Sequence, residues 1–129
     1  RMDGTLDRAL AEFETSGADS MVGVVPQAPF LWWASDPPRA DYEVSARPRR
    51  QDLTREQLRF RETGSLYVTR TRVYRELGNR LGGRIALFEM DEVEGVDIDT
   101  DIDLRITDAF LLAQERHHFE TTERAKDDA

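Results

Sequence analysis

Cysteine is absent from the 129-residue sequence, so the chain has neither disulfide bonds nor thiolate metal ligands. This composition fits the reducing environment of the cytoplasm, where we expect the protein to work. Long apolar runs are missing as well, since no stretch approaches the roughly 20 residues that a transmembrane helix requires. The first residues also lack the charged and apolar pattern of a secretory signal peptide.

Lysine is almost absent, and acidic residues outnumber basic ones by 26 to 18. Lys126 is the only lysine, all other basic residues are arginines, and the net charge at neutral pH is −8. General binding to nucleic acid or to anionic membranes requires a positive surface, so the composition argues against both functions. The charges are unevenly distributed, because arginines crowd residues 47–61, whereas residues 86–103 contain eight acidic side chains and no basic one.

The chain length suffices for one modest domain with a hydrophobic core. It is short for an enzyme that must form two substrate pockets by itself. Because the sequence also begins with Arg1 rather than Met, we expect it to be part of a longer polypeptide.

Residues 1–26 have the pattern of a core helix followed by a core strand. The apolar positions of the helix recur at helical spacing, namely Leu6, Ala9, Leu10 and Phe13. Asp3 or Thr5 can cap its start, and Gly17 is suited to end it. The apolar run 21–26 predicts a strand buried on both faces, which is typical of parallel sheets.

Residues 27–61 form an excursion from this core. All five prolines of the chain lie between residues 26 and 48 and interrupt regular structure there. Only 30–33 and 42–45 have the composition of strands. Trp32 and Trp33 would point to opposite faces of such a strand. Either one of them is covered by another chain, or one packs in the core while the other is partly exposed.

Residues 62–118 return to core elements, and residues 119–129 have the composition of a flexible tail. We predict strands over 65–69 and 85–90 and a short helix over Thr71–Leu77. A last helix extends to about His118, and its apolar face is formed by Leu104, Ile106, Ala109, Leu111 and Leu112. We assign no chemical role to His117 and His118.

Four aspartates occupy alternate positions in VDIDTDIDL, residues 96–104. On a continuous strand they would face one side and repel each other. We therefore predict that the strand ends near Asp99, that Thr100 caps a new helix, and that Asp103 completes a capping box. Asp101 and Asp103 then lie in the first helical turn, where the helix dipole favours negative charge.

The other two aspartates, Asp97 and Asp99, are predicted to follow a strand at the edge of the sheet where open α/β folds bind ligands. Two carboxylates in this position suit Mg²⁺ that is also bound by substrate phosphates and water. A solvated acidic loop without a ligand is the alternative. A calcium loop of the EF-hand type is excluded, because its sixth position requires glycine and is Ile102 here.

Three segments of the chain match known motifs in order and spacing: RQDL at 50–53, GSLYV at 64–68 and VDIDTDIDL at 96–104. Together they resemble the acylneuraminate cytidylyltransferases, also called CMP-sialic acid synthetases. The resemblance covers nearly the whole chain and implies a partial Rossmann-like α/β nucleotidyltransferase sheet, with an extended dimerisation excursion over 27–61. The implied reaction transfers CMP from CTP to a nonulosonic acid and releases pyrophosphate, with Mg²⁺ as cofactor.

By position, the resemblance implies that Asp97 and Asp99 are the catalytic, metal-binding aspartates. It also implies that Arg50 and Tyr67, supported by Gln51, bind the sugar acid. A planar guanidinium can hold the sugar carboxylate through two hydrogen bonds, and a tyrosine offers a hydroxyl beside an apolar ring. The implied assembly is a homodimer, and the implied substrates are CTP and a nonulosonic acid.

The sequence departs from the family pattern in three respects. Thr63 stands where an asparagine is usual, and the stretch from Arg50 to Tyr67 is a few residues longer than usual. The glycine- and lysine-bearing nucleotide loop of the family is missing from these 129 residues, so we expect the isolated chain to be inactive with CTP. The alternatives are a nucleotidyltransferase for another sugar acid, such as deoxyoctulosonate, and a noncatalytic dimerisation or binding module.

Overall fold

The computed structural model describes residues 4–113, in which the chain has a mixed α/β architecture. The elements in chain order are α1 Thr5–Ser16, β1 Ser20–Gln27, β2 Trp32–Trp33, β3 Arg39–Ala40, β4 Arg59–Thr69, α2 Thr71–Leu77, β5 Ile85–Glu89 and a helix α3 over 101–113. Short 3₁₀ turns cover Arg50–Asp52, Arg55–Gln57 and Glu92–Gly95. The chain divides into two compact units, and the second unit begins at Val96. Asp3, His117, His118 and the predicted tail lie outside the described residues.

Helix α1 has the predicted position and the predicted end. Gly17 follows its last turn in the left-handed conformation (φ 66°), which glycine adopts without a steric penalty. The prediction that Thr5 caps the helix is wrong, because Gly4 is the N-cap and the hydroxyl of Thr5 donates a hydrogen bond to the Glu94 carboxylate. The Thr5 hydroxyl thus binds a buried carboxylate distant in the sequence, whereas a local cap would accept a hydrogen bond from a backbone N–H of the first helical turn.

A small three-stranded sheet has β1 at its centre, in the order β4-β1-β5. The first six residues of β1 are buried, which confirms the predicted strand over 21–26 with both faces covered. The neighbours of β1 differ in direction, because β5 runs parallel to it and β4 runs antiparallel. The sheet is therefore mixed, whereas the pattern alone indicated a parallel one.

Strand β4 contains a bulge where it passes β1. Val22 pairs with Tyr67 and Val24 pairs with Glu62, so residues 63–66 stand opposite the single residue Gly23. Gly64 takes a positive φ of 69° in this bulge, and the hydroxyl of Thr63 turns inward to donate a hydrogen bond of 3.2 Å to the Gly23 carbonyl. The predicted strand over 65–69 is the second half of β4, which already begins at Arg59.

The core lies between α1 and the sheet. Its buried hydrophobic residues are Ala9, Phe13, Ala18, Met21, Val25, Leu66, Phe88 and Met90. Phe88 and Met21 are the largest side chains that are fully buried. Helix α2 and strand β5 have the predicted positions. No helix within 4–113 has the length and apolar composition needed to cross a membrane.

The excursion contains one short hairpin, in which Trp32 pairs with Ala40 and Trp33 with Arg39. Both tryptophans are 56% exposed, so neither packs in the core. The predicted strand over 42–45 is wrong, because these residues form bends and turns. Tyr42 instead packs edge-on against Phe30, with ring centroids 5.5 Å apart.

Candidate functional site

The acidic segment begins after a turn rather than at the end of a strand. Strand β5 ends at Glu89, the 3₁₀ turn Glu92–Gly95 follows, and 96–99 have no regular structure. The prediction of a strand that continues to about Asp99 is therefore wrong. Asp97 and Asp99 are both exposed, and the Asp97 carboxylate accepts a hydrogen bond of 3.0 Å from the backbone N–H of Ile98.

The predicted capping box at the start of α3 is confirmed. The Thr100 hydroxyl and backbone N–H donate to Asp103 Oδ2 at 2.6 and 2.9 Å, and the Asp103 N–H donates back to Thr100 Oγ1 at 3.3 Å. The hydrogen bonds that the Asp103 carboxylate accepts, with that from the Thr100 hydroxyl foremost, lower the pKa of this carboxyl. Asp103 thus has a structural function, and Asp101 lies in the first helical turn. Asp97 and Asp99 have no comparable partner among the described residues.

The donor set around the acidic segment limits the kind of metal site it could form. Within residues 4–113, no group of three or more histidine, aspartate or glutamate side chains is arranged to hold a metal ion. A closed protein cage for Ca²⁺ or Zn²⁺ requires more ligands than this. Mg²⁺ fits, because it is commonly bound by one or two carboxylates and completes its shell with water and phosphate oxygens. Asp97 and Asp99 are two such carboxylates.

Gly95, the last residue of the first unit, lies against the cross-strand pair Val25 and Arg61. A Cβ atom at Gly95 would lie only 2.5 Å from Val25 Cγ1, so the methyl groups of this buried valine pack directly on the glycine. The Gly95 carbonyl accepts a hydrogen bond of 2.9 Å from the Arg61 guanidinium. Side-chain packing and a hydrogen bond therefore both fix the end of the 3₁₀ turn.

The neighbouring residue Glu94 is held by helix α1. Its carboxylate is 1% exposed, accepts the hydrogen bond from Thr5 and lies 3.5 Å from the Arg8 guanidinium. Arg8 also covers the ring of Phe88 in β5, with its guanidinium carbon 5.1 Å from the ring centroid. A buried carboxylate is stabilised only by such paired contacts. The turn that precedes Asp97 is thus attached to both α1 and β4.

Arg50 begins an exposed 3₁₀ turn in the excursion. Its guanidinium carbon lies 5.8 Å from the centroid of the Phe30 ring, and that of Arg47 lies 4.2 Å from the same centroid. No carboxylate in residues 4–113 forms an ion pair with either arginine. Arg50 also lines a pocket of about 340 Å³, together with Pro26, Gln27, Ala28, Leu53, Leu58 and Glu92. Gln51 is exposed beside it.

Tyr67 lies on β4 and has two partners that the sequence did not indicate. Its hydroxyl donates a hydrogen bond of 2.9 Å to Glu62, and the Arg80 guanidinium covers its ring at 4.0 Å from the centroid. The hydrogen bond to Glu62, followed by burial, raises the pKa of the Tyr67 phenol. Glu62 lies five residues away across the bulge, a separation at which no regular strand or helix brings side chains together.

Arg50 and Tyr67 line different pockets. The Tyr67 pocket has a volume of about 440 Å³ and is lined by residues of α1, β4 and α2, among them Leu6, Leu10, Ser65 and Tyr74. The first unit therefore offers one pocket lined by a single arginine, Arg50, and a single carboxylate, Glu92, and a largely apolar, hydroxyl-bearing pocket beside β4. Asp97 and Asp99 belong to the second unit.

No family model matches the chain, whereas comparison with curated proteins finds similarity to a cytidylyltransferase. The chain is 34% identical over 113 residues to N-acylneuraminate cytidylyltransferase B of Danio rerio. The aligned region covers 83% of this chain and 26% of that relative, so the chain spans about a quarter of the relative's length. The similarity thus extends over most of this chain and over a minor part of a cytidylyltransferase.

Proposed function

We propose that this chain is the portion of a CTP-dependent cytidylyltransferase that binds the sugar acid and the metal. The complete enzyme would transfer CMP to a nonulosonic, sialic-type acid and release pyrophosphate. The observation that carries this proposal is the similarity to N-acylneuraminate cytidylyltransferase B over 83% of the chain. The segments RQDL, GSLYV and VDIDTDIDL, in that order, support the same class of enzyme.

Asp97 and Asp99 are the residues that would hold Mg²⁺. Both carboxylates are exposed, and neither is committed to the capping box that occupies Asp103. When bound, the metal would neutralise phosphate charge and thereby favour attack by the sugar acid on the α-phosphorus of CTP. The two carboxylates would hold and orient the metal ion. This function requires no proton transfer from them.

Arg50, with Gln51 beside it, would bind the carboxylate of the sugar acid. The guanidinium is exposed and stacks on Phe30 without a carboxylate partner among residues 4–113, so its N–H groups are available to a ligand. The guanidinium is planar and carries several N–H donors, which suits a bidentate contact to a carboxylate.

Tyr67 would bind a different part of the sugar from Arg50, because the two side chains line separate pockets. Its hydroxyl proton is directed to Glu62, so the oxygen presents an acceptor to a ligand rather than a donor. Hydroxyl or amide N–H groups of the sugar are suitable donors. The apolar side chains of Leu6 and Leu10 suit the hydrocarbon parts of the ligand.

The proposed assembly is a homodimer formed through the excursion 27–61. Trp32 and Trp33 support it, because each is 56% exposed, and large exposed aromatic side chains of this kind are often covered in protein interfaces. Sedimentation of the chain tests this assembly. Replacing both tryptophans by serine should convert the dimer to a monomer, and a chain that sediments as a monomer before the replacement contradicts the proposal.

Binding of N-acetylneuraminate to the chain, followed by ligand-observed NMR, tests the proposed function. The free acid should bind, whereas its methyl ester, which lacks the carboxylate charge, should bind at least about 10-fold more weakly because the charge-assisted contact is lost. Arg50→Met should abolish this preference for the acid. Arg49→Met removes the same charge one residue away, from an arginine paired with Asp52, and should preserve the preference. Equal binding of acid and ester contradicts the proposal.

Two alternatives make different predictions in the same assay. An enzyme for deoxyoctulosonate would bind that sugar acid in preference to N-acetylneuraminate. A noncatalytic dimerisation or binding module would bind neither, and its Mg²⁺ affinity would be unchanged when Asp97 and Asp99 are both replaced by asparagine.

A further inference from the structure

The first unit ends in a fixed residue, whereas the second unit begins with an exposed acidic segment. Gly95 is buried against Val25 and bound by Arg61, and the preceding Glu94 is buried beside α1. Asp97 follows Gly95 by two residues, and two residues of extended chain span roughly 7 Å at most. The position of Gly95 therefore limits where the Asp97 backbone can lie.

Arg61 is not needed for the sheet pairing that holds its own strand. Its pairing with Val25 in the β1–β4 ladder uses the backbone, and the side chain is exposed apart from its contact with Gly95. The same guanidinium has no carboxylate partner within 4–113. Among those residues, its one side-chain hydrogen bond goes to the residue that leads into the acidic segment.

We propose that Arg61 is a positioning residue for the metal-binding pair, acting through the carbonyl of Gly95. The inference rests on the proposed function, because it assumes that Asp97 and Asp99 bind the metal. The hydrogen bond restrains the chain two residues before Asp97, so the carboxylates lose less freedom when the cation binds. Contacts that orient metal ligands commonly change metal affinity even though they never touch the metal.

An electrostatic effect of Arg61 and a positioning effect of Arg61 predict different changes in metal affinity when this side chain is removed. This difference makes the proposal testable. Any electrostatic effect of a positive charge on a cation is repulsive, so removing the guanidinium should leave metal binding unchanged or strengthen it if charge alone mattered. If the hydrogen bond to Gly95 positions the carboxylates, removing it should weaken metal binding despite the loss of the positive charge. The sign of the change therefore separates the two effects.

The experiment uses Mn²⁺ as the probe and the full 129-residue chain. Mn²⁺ affinity is measured by electron paramagnetic resonance, and the site is located by paramagnetic broadening of the amide signals of Ile98 and Thr100. Arg61→Met should weaken binding about 10-fold, the lower end of the effect expected for a supporting contact. Arg61→Lys retains both charge and an N–H donor and should remain within about 3-fold of the native affinity.

Arg75→Met is the matched charge control, since this arginine is exposed on α2 and forms no hydrogen bond with Gly95. It should leave the Mn²⁺ affinity unchanged or slightly increased. Arg61→Gln is the second variant, because it removes the charge and keeps a shorter donor. It should bind Mn²⁺ more weakly than the native chain does, and this comparison keeps the test valid if the methionine variant folds poorly.

Two failures are distinguishable in this experiment. If Asp97→Asn and Asp99→Asn leave Mn²⁺ binding unchanged, the metal assignment within the proposed function is wrong, and the positioning proposal falls with it. If the asparagine variants lose Mn²⁺ while Arg61→Met binds it as tightly as the native chain or more tightly, Arg61 has no positioning function and the metal assignment stands.

Discussion

Thr100 and Asp103 bind each other reciprocally at the start of α3. The threonine hydroxyl donates to the aspartate carboxylate at 2.6 Å, and the aspartate backbone N–H donates back to the hydroxyl at 3.3 Å. This pair gives one of the four alternating aspartates a purely structural function. It also divides the acidic segment into the start of a helix and two aspartates that take no part in the capping box, Asp97 and Asp99.

Replacing Thr100 by alanine should loosen the first turn of α3. The substitution removes the side chain that satisfies the Asp103 N–H, and the loss of such a cap costs about 1 kcal/mol. Carbon chemical shifts of residues 101–104 should move towards coil values. Thr100→Ser retains the hydroxyl and is the control. Native-like shifts in the alanine variant would show that the cap does not hold this turn.

The stability of the first turn of α3 should also depend on pH. Because the Thr100 hydroxyl lowers the Asp103 pKa, the ionised carboxylate favours the folded helix start. This contribution is complete above the ordinary pKa of an aspartate and is lost as the pH falls through the lowered one. Helical chemical shifts of residues 101–104 should therefore decline at strongly acidic pH. Asp103→Asn should remove this part of the pH dependence, and an unchanged acid profile would contradict the assignment.

Glu62→Gln should lower the pKa of Tyr67. In the native chain the phenol donates to the Glu62 carboxylate, which raises the phenol pKa because ionisation would break the bond and place two negative charges together. An uncharged amide removes the repulsion. Ultraviolet titration of the phenolate, with Tyr67→Phe to identify the signal, measures the shift. No shift after the glutamine substitution would mean that Glu62 does not contact the phenol in solution.

Gly95→Ala should destabilise the first unit through Val25. An added Cβ would overlap a buried, β-branched side chain, and such overpacking costs roughly 1–3 kcal/mol. In a Val25→Ala background the overlap disappears, so the same substitution should cost less. Denaturant unfolding of the two single variants and the double variant measures this coupling. Strictly additive effects would contradict the direct packing of Val25 on Gly95.

Local sequence patterns predicted the elements whose stabilisation is local. Helix α2 has the predicted bounds because Gly78 ends it in the left-handed conformation, with its N–H bonded to the Tyr74 carbonyl. The Thr100 and Asp103 capping box was predictable for the same reason, since both partners lie within one helical turn. The apolar run 21–26 likewise indicated burial on both faces.

Contacts between distant residues explain the incorrect predictions. Thr5 does not cap α1, because its hydroxyl meets Glu94, a residue 89 positions away. The strand predicted to continue to about Asp99 ends at Glu89, and the following turn is held by contacts of Glu94 and Gly95 with α1, β1 and β4. The Glu62 and Arg80 contacts of Tyr67 depend on the bulge in β4 and on the loop after α2. No periodicity of the sequence encodes these pairings.

CMP-sugar formation measured on the gene's whole product, with CTP, N-acetylneuraminate and Mg²⁺, tests the central claim most directly. The account predicts turnover that falls at least about 100-fold when Asp97 and Asp99 are both replaced by asparagine, as expected for loss of electrostatic stabilisation of the transferred phosphate. It also predicts no turnover by the 129-residue chain alone, which lacks a glycine- and lysine-bearing nucleotide loop. Undiminished turnover in the double variant, or CMP-sugar formation by the isolated chain, would contradict it.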